Sequence, residues 1–202
     1  MPHDKAWQRI GDSLVEMTKE QENKILNEPL FINDDWSART LANASIYDLD
    51  ENAISFAKEK FIQKHPHLLP EYQKWDTLTF LNKSKLLING KVTTTAILLL
   101  GKTESEHYLQ PAVAKISWIL KDEKNNEKDY QHFSCPFIMC VESLFSKLRN
   151  LRYRYIKDET LFPEETDQYE PYVIREALHN CIAHQDYQQA GKINVVEKKT
   201  GI

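Results

Sequence analysis

Glu176 and Asn180 stand four residues apart in the stretch 171–184, and His184 follows four residues later. If that stretch is helical, successive residues turn by ~100°, so the three share one stripe and Glu176 lies one turn from Asn180. A carboxylate one turn from an amide oxygen has a definite chemical use. The amide offers a neutral oxygen that Mg²⁺ accepts, and the carboxylate can orient and deprotonate a water beside a triphosphate. His184, a further turn along, would reach phosphate or a neighbouring loop. The competing reading is plain. Every amphipathic helix has a polar face, and Glu-x-x-x-Asn alone is a common spacing.

A second group is basic and aromatic. Lys147, Arg149, Arg152, Arg154 and Lys157 are interleaved with Tyr153 and Tyr155, a composition that can follow a nucleic-acid backbone by charge and stacking. Against this stands a solvated helix end, where cations are favoured by the helix dipole and balanced by the acidic stretch that follows. Gly101-Lys102-Thr103 ends like a phosphate loop, but Ala96 occupies the position of the earlier glycine. Without that cradle there is no motor site. Cys135, Cys140 and Cys181 are odd in number and lack ligand spacing, so they read as reduced thiols and not as a disulfide or zinc site. His3 and His65-Pro66-His67 have no partners at metal spacing.

The elements that must position these residues follow from periodicity and punctuation. Ile174, Ala177, Leu178, Cys181 and Ile182 form an apolar stripe on a helix from Pro171 to His184, opposite the Glu176 stripe. Before it, Phe137, Val141, Leu144, Phe145, Leu148 and Leu151 recur on one helical face behind Pro136. Residues 113–120 and 130–135 flank the polar tip KDEKNNEK and predict a β-hairpin. Arg152–Ile156 alternates like a strand, an acidic loop runs over 157–170, and 192–197 predicts a closing strand.

Further upstream, Thr93 can cap a helix over 94–100 with Gly101 as its stop. Residues 86–88 and 91–92 predict a tiny hairpin around a type I′ turn at Asn89-Gly90. Asp76 or Thr77 can cap a short helix carrying Leu78 and Leu81. Asp48 and Glu51 stand in capping-box spacing ahead of Ile54, Ala57 and Phe61. Thr18 and Gln21 do the same for a helix over 18–26, and Asn33-Asp34-Asp35 predicts a turn.

The expected fold class is therefore α+β. Residues 1–47 read as a connector, 48–110 as a helical unit with a short β-wing in a winged-helix-like arrangement, and 111–202 as a mixed helix-and-sheet unit. With 41% hydrophobic and 28% charged residues, wholesale disorder is excluded. A net charge of −4 gives no global pull toward nucleic acid or anionic lipid, so any such contact must be local. The longest apolar run, 96–100, falls far short of the ~20 residues that span a bilayer. No secretory signal pattern opens the chain, and a cytoplasmic location is expected.

The string Arg175-Glu176-Ala177-Leu178-His179-Asn180-Cys181-Ile182-Ala183-His184-Gln185-Asp186-Tyr187 resembles the signature that opens the C-terminal ATPase-like domain of bacterial RecG-like helicases and transcriptional regulators. In that family an AlbA-type Schlafen DNA-binding domain precedes a divergent AAA or GHKL-like ATPase region. The segments 81–102, 35–50 and 9–21 are similar, in order, to that family's middle segment, its connection and the end of its DNA-binding domain. Gln185 and Cys181 depart from the Arg and Ala usual in the signature. The resemblance implies that Glu176 occupies the general-base position and that Asn180 is the Mg²⁺ ligand, with His184 nearby. It also implies that residues 111–202 are the first part of a GHKL-like α/β sandwich. The downstream adenine-binding and lid segments are absent from this sequence, so the resemblance implies a middle portion of a longer protein. ATP and Mg²⁺ are then cofactors of the whole protein, with none expected on this portion. DNA and nucleotide are the implied partners, with no membrane, and a homodimer is left open. Function is expected to be that of a nucleotide-responsive transcriptional regulator. The alternatives are part of an ATP-hydrolysing, helicase-related enzyme, or a non-catalytic dimerisation and spacer module.

Overall fold

The computed structural model describes residues 6–10, 13–26, 35–149, 152–156 and 163–198. The chain divides into two units, Met1–Asp35 and Trp36–Ile202, and each is described by itself. In the first unit, β1 (Trp7–Ile10) and β2 (Ser13–Glu16) pair antiparallel, with Trp7 opposite Glu16. Helix α1 (Lys19–Leu26) starts with the expected reciprocal cap. The Thr18 N–H donates to Gln21 Oε1 (2.9 Å) and the Gln21 N–H to Thr18 Oγ1 (3.3 Å). The Asn33-Asp34 part of the expected turn and His3 lie outside the described residues.

The second unit is organised by one apolar core that runs from Leu49 to Ile193. Its division from the first falls at Asp35/Trp36, and residues on both sides of the expected 110/111 boundary share that core. Capping sets where the helices begin. Asp50 accepts from the Ala53 N–H (2.8 Å) and opens α2 (Glu51–Lys64). The expected cap two residues earlier is otherwise employed, because Asp48 accepts from the Ser45 N–H (2.7 Å) and hydroxyl (2.9 Å) and so closes a 3-10 turn. The short α3 (Leu69–Tyr72) follows, then α4 (Thr77–Lys83), whose cap is Asp76 accepting from Thr79.

Strands β3 (Leu87–Ile88) and β4 (Lys91–Val92) join through Asn89 and Gly90, both at positive φ (51° and 73°), which is the I′ geometry. Helix α5 (Thr94–Leu100) then runs through the centre of the core. Both its ends are tied to the segment before α2. At its start, Thr94 donates to the Arg39 carbonyl by its N–H (2.9 Å) and hydroxyl (3.1 Å); at its end, the Asp50 N–H donates to the Leu100 carbonyl (2.7 Å). Gly101 is required by close approach and not by a left-handed turn, since a Cβ there would collide with the Ile97 carbonyl oxygen.

Strands β5 (Ile116–Lys121) and β6 (Glu127–Phe133) form the expected hairpin. Helix α6 (Phe137–Lys147) buries Phe137, Cys140, Val141 and Leu144, while Leu151 lies outside the described residues. Strand β7 (Arg152–Ile156) is where alternation placed it. Its partner is not a loop residue run, however. β8 (Pro163–Asp167) pairs with it antiparallel, Arg152 opposite Asp167, inside the stretch expected to be an acidic loop. Helix α7 (Pro171–His184) and β9 (Ile193–Lys198) complete the unit, and β9 lies parallel to β5, giving the order β6-β5-β9. The fold is α+β, with helices around small sheets.

Candidate functional site

Helix α7 takes Pro171 in its first turn, where a missing N–H costs nothing. Leu178 and Ile182 are buried and Ile174 is packed against the core. Arg175 fastens the helix to α6. Its Nε and Nη2 donate to the two carboxylate oxygens of Glu142 (3.1 and 3.2 Å), and its guanidinium lies 3.8 Å from the centre of the Phe145 ring. The Arg175 hydrogen bond holds the Glu142 carboxyl below the usual range.

Just past α7, Asp186 accepts from the Gln188 N–H (3.1 Å) and caps a 3-10 turn that buries Tyr187. The Tyr187 hydroxyl donates to the Ile182 carbonyl (2.8 Å), and its ring stacks 5.4 Å from Trp36. Burial pushes the Tyr187 phenol up. Five of the thirteen residues of 175–187 are thus accounted for by packing. Arg175, Leu178, Ile182, Asp186 and Tyr187 hold the helix in place.

Glu176, Asn180 and His184 form the remaining stripe. All three are exposed, on the side of α7 turned away from Leu178 and Ile182. None of their side chains hydrogen-bonds or pairs with another described residue, and none lines either of the two large grooves. The structure therefore leaves them together, as spacing predicts, and open to solvent. Two of the residues assigned to the apolar stripe, Ala177 and Cys181, are exposed too and line the second groove. Among the described residues no cluster of three His, Cys, Asp or Glu side chains is placed to hold a metal ion. Glu176 and Asn180 can supply two oxygen donors to Mg²⁺, as suits an ion held mainly by phosphates and water, but not a whole coordination shell.

The basic stretch is partly spent inside the protein. Lys147 Nζ stands 5.4 Å from the Trp118 ring centre, and Arg149 Nε donates to Glu197 Oε1 (2.6 Å). The same Glu197 accepts from Trp118 Nε1 (3.2 Å), so one carboxylate joins the end of α6 to β5 and β9. Arg154 is exposed on β7, while the Arg152 side chain and Lys157 lie outside the description. Cys135 and Cys140 are buried and Cys181 is exposed, with no disulfide among the three.

Two cavities of about 710 Å³ each escaped the sequence reading. The first is walled by α2, α5, α6 and α7 and includes Phe56, Lys60, Leu99, Ile138, Ile182 and Trp36. The second lies between α7 and β9, with Ile174, Leu178, Cys181 and Val195 in its walls. Phe56, Lys60 and Lys64 recur every four residues, which was the available signal for the first. No helix among the described residues is long and apolar enough to cross a membrane.

Residues 23–116, from α1 to the first residue of β5, match the model of a domain of unknown function, DUF8451. The matched span ends before α6 and α7. No curated protein and no solved structure matches the chain.

Proposed function

We propose that α7 is the nucleotide-facing helix of a DNA-binding, ATP-responsive transcriptional regulator of the bacterial cytoplasm. Glu176 would accept a proton from a water, Asn180 would give its amide oxygen to Mg²⁺, and His184 would meet phosphate. One observation carries the reading: a carboxylate and an amide lie a turn apart on a rigidly anchored helix, exposed and unpartnered among the described residues. Elsewhere no buried side-chain nitrogen or oxygen of the described residues lacks a partner, so this chain satisfies polar groups wherever it encloses them. An open stripe cannot by itself exclude water, so the site needs a second wall from residues other than those described here. The resemblance of 175–187 to the RecG-like signature supports the nucleotide class, and the resemblances of 9–21 and 35–50 support DNA as partner.

The test is calorimetric titration of the full-length native protein with ATP and Mg²⁺, beside a steady-state ATPase assay with and without DNA. Asn180→Ala is expected to abolish Mg²⁺-dependent affinity. Glu176→Ala is expected to leave binding and, if turnover occurs, to slow it by about 10²–10⁴-fold. DNA-stimulated turnover lost in Glu176→Ala would turn the reading toward a helicase-related enzyme, and binding without turnover supports the switch. ATP affinity indifferent to both substitutions would refute it.

A further inference from the structure

The first cavity is independent of the Glu176 stripe and has a chemistry of its own. Its walls are apolar: Leu98 and Leu99 from α5, Phe137, Ile138 and Val141 from α6, and Ile182 from α7. The Trp36–Tyr187 stack and the Phe137 ring, 6.3 Å from Tyr187, add rigid aromatic surface. A volume of about 710 Å³ lies in the ~300–1,000 Å³ range of small-molecule sites. Every wall is helical or a 3-10 turn, so no strand edge offers backbone pairing to an extended peptide.

The charges in the cavity have one sign to spare. Phe56, Lys60 and Lys64 form a single stripe of α2, which passes from ring to cation along the helix. Lys60 Nζ sits 5.1 Å from the Phe56 ring and 3.4 Å from the neutral Gln63 Oε1, and Lys64 pairs with no described residue. Glu142 is the carboxylate of the lining, and Arg175 already takes both its oxygens. Two exposed ammonium groups therefore border an apolar trough whose carboxylate, Glu142, lies within the field of Lys60 but has both oxygens taken by Arg175.

We infer that this cleft binds a small single-chain amphiphile with an anionic head, of the fatty carboxylate class. The apolar chain lies along α5, α6 and α7, and the carboxylate sits between Lys60 and Lys64. Triphosphates and other strongly polar ligands are disfavoured, because Lys60 and Lys64 are the only lysines of the lining and the wall between them and Ile182 is mostly apolar.

The test uses dodecanoate below its micellar concentration, titrated into the 202-residue chain by calorimetry and followed by tryptophan fluorescence. Dodecanol and dodecyltrimethylammonium serve as neutral and cationic probes with the same chain. Dodecanoate is expected to bind saturably, one per chain. The double variant Lys60→Glu, Lys64→Glu, at two exposed positions and expected to keep the circular dichroism spectrum, is expected to weaken it about tenfold, as befits two exposed charge pairs. Ala183→Trp, which fills the trough from its α7 wall, is expected to abolish binding. Equal affinity for dodecyltrimethylammonium, or binding unmoved by Ala183→Trp, would overturn the inference. Failure of dodecanoate together with tight binding of an acidic amphipathic helical peptide would overturn it in favour of a protein partner.

Discussion

Thr93 offers the sharpest test of how α5 is held. The residue is fully buried. Its hydroxyl donates to the Leu86 carbonyl (3.1 Å) and accepts from the Ala96 N–H (3.2 Å), so one oxygen joins the β3–β4 hairpin to the start of the central helix. Thr93→Val preserves shape and removes both bonds. The Leu86 carbonyl keeps the Thr93 N–H (3.1 Å), but the Ala96 N–H is left without a partner in a dry site. Loss of a cap costs ~0.5–2 kcal/mol and stranding a buried donor ~1–3, overlapping descriptions of one defect, so the expected loss is about 2–3 kcal/mol. Thr93→Ser keeps both bonds and deletes one buried methyl, worth about 1 kcal/mol. For a chain of this size each kcal/mol moves the midpoint by ~2–4 °C, so Val should fall about 5–10 °C and Ser about 2–4 °C. Thermal and urea unfolding by circular dichroism measure both. A valine variant as stable as the serine variant would refute the reasoning, since apolar packing and not the hydroxyl would then hold the junction.

Glu197→Ala should destabilise by about 1–2 kcal/mol, because Trp118 loses a hydrogen-bond acceptor and Arg149 its half-exposed partner. Glu197→Gln, which retains an acceptor for Trp118, should recover roughly half of that by urea denaturation. Asp122 accepts from the Asn126 and Lys124 N–H groups (2.9 Å each), and the Asn126 N–H, with Lys128 and the Asn126 side chain, holds its carboxyl down to about 2. A depressed carboxyl stabilises above its unfolded value of 3.8 and loses that contribution as pH falls through about 2, so the β5–β6 tip should titrate there by amide NMR. A midpoint near 3.8 would contradict the tip geometry. Burial pushes the Cys135 and Cys140 thiols up to about 12 and about 11, so at pH 8 a thiol reagent should modify Cys181 alone in native protein and all three after unfolding.

Much of the local structure was legible because it is local. Pro171 and the apolar stripe gave α7 its bounds, and Thr93 with Gly101 bracketed α5. Asn89-Gly90 specified the I′ turn. What escaped depends on distant partners. The stretch Pro163–Asp167 has poor strand propensity, and it is a strand because β7 supplies a ladder for it. Asp48, the expected cap, is taken up by Ser45, and Asp50 caps the helix in its place. In the candidate site, the stripe Glu176–Asn180–His184 was legible from spacing, whereas its openness was not. The exposure of Cys181 and Ala177 was also hidden, because the core contacts only a narrow strip of α7. The lysine-bordered cleft belongs to four helices at once, and no single window of sequence contains it.

The parallel pairing of β5 with β9 has a consequence for how the protein is made. Ile116 faces Ile193, so the ribosome delivers the two strands far apart in time. Until the later one emerges, Trp118 has no carboxylate for its indole, and the apolar middle strand of the sheet presents a bare flank to any neighbouring nascent chain. Such distant pairing is slow and prone to intermolecular mistakes. A version stopped short of residue 193 should therefore accumulate in the insoluble fraction, while one ending after residue 198 should not.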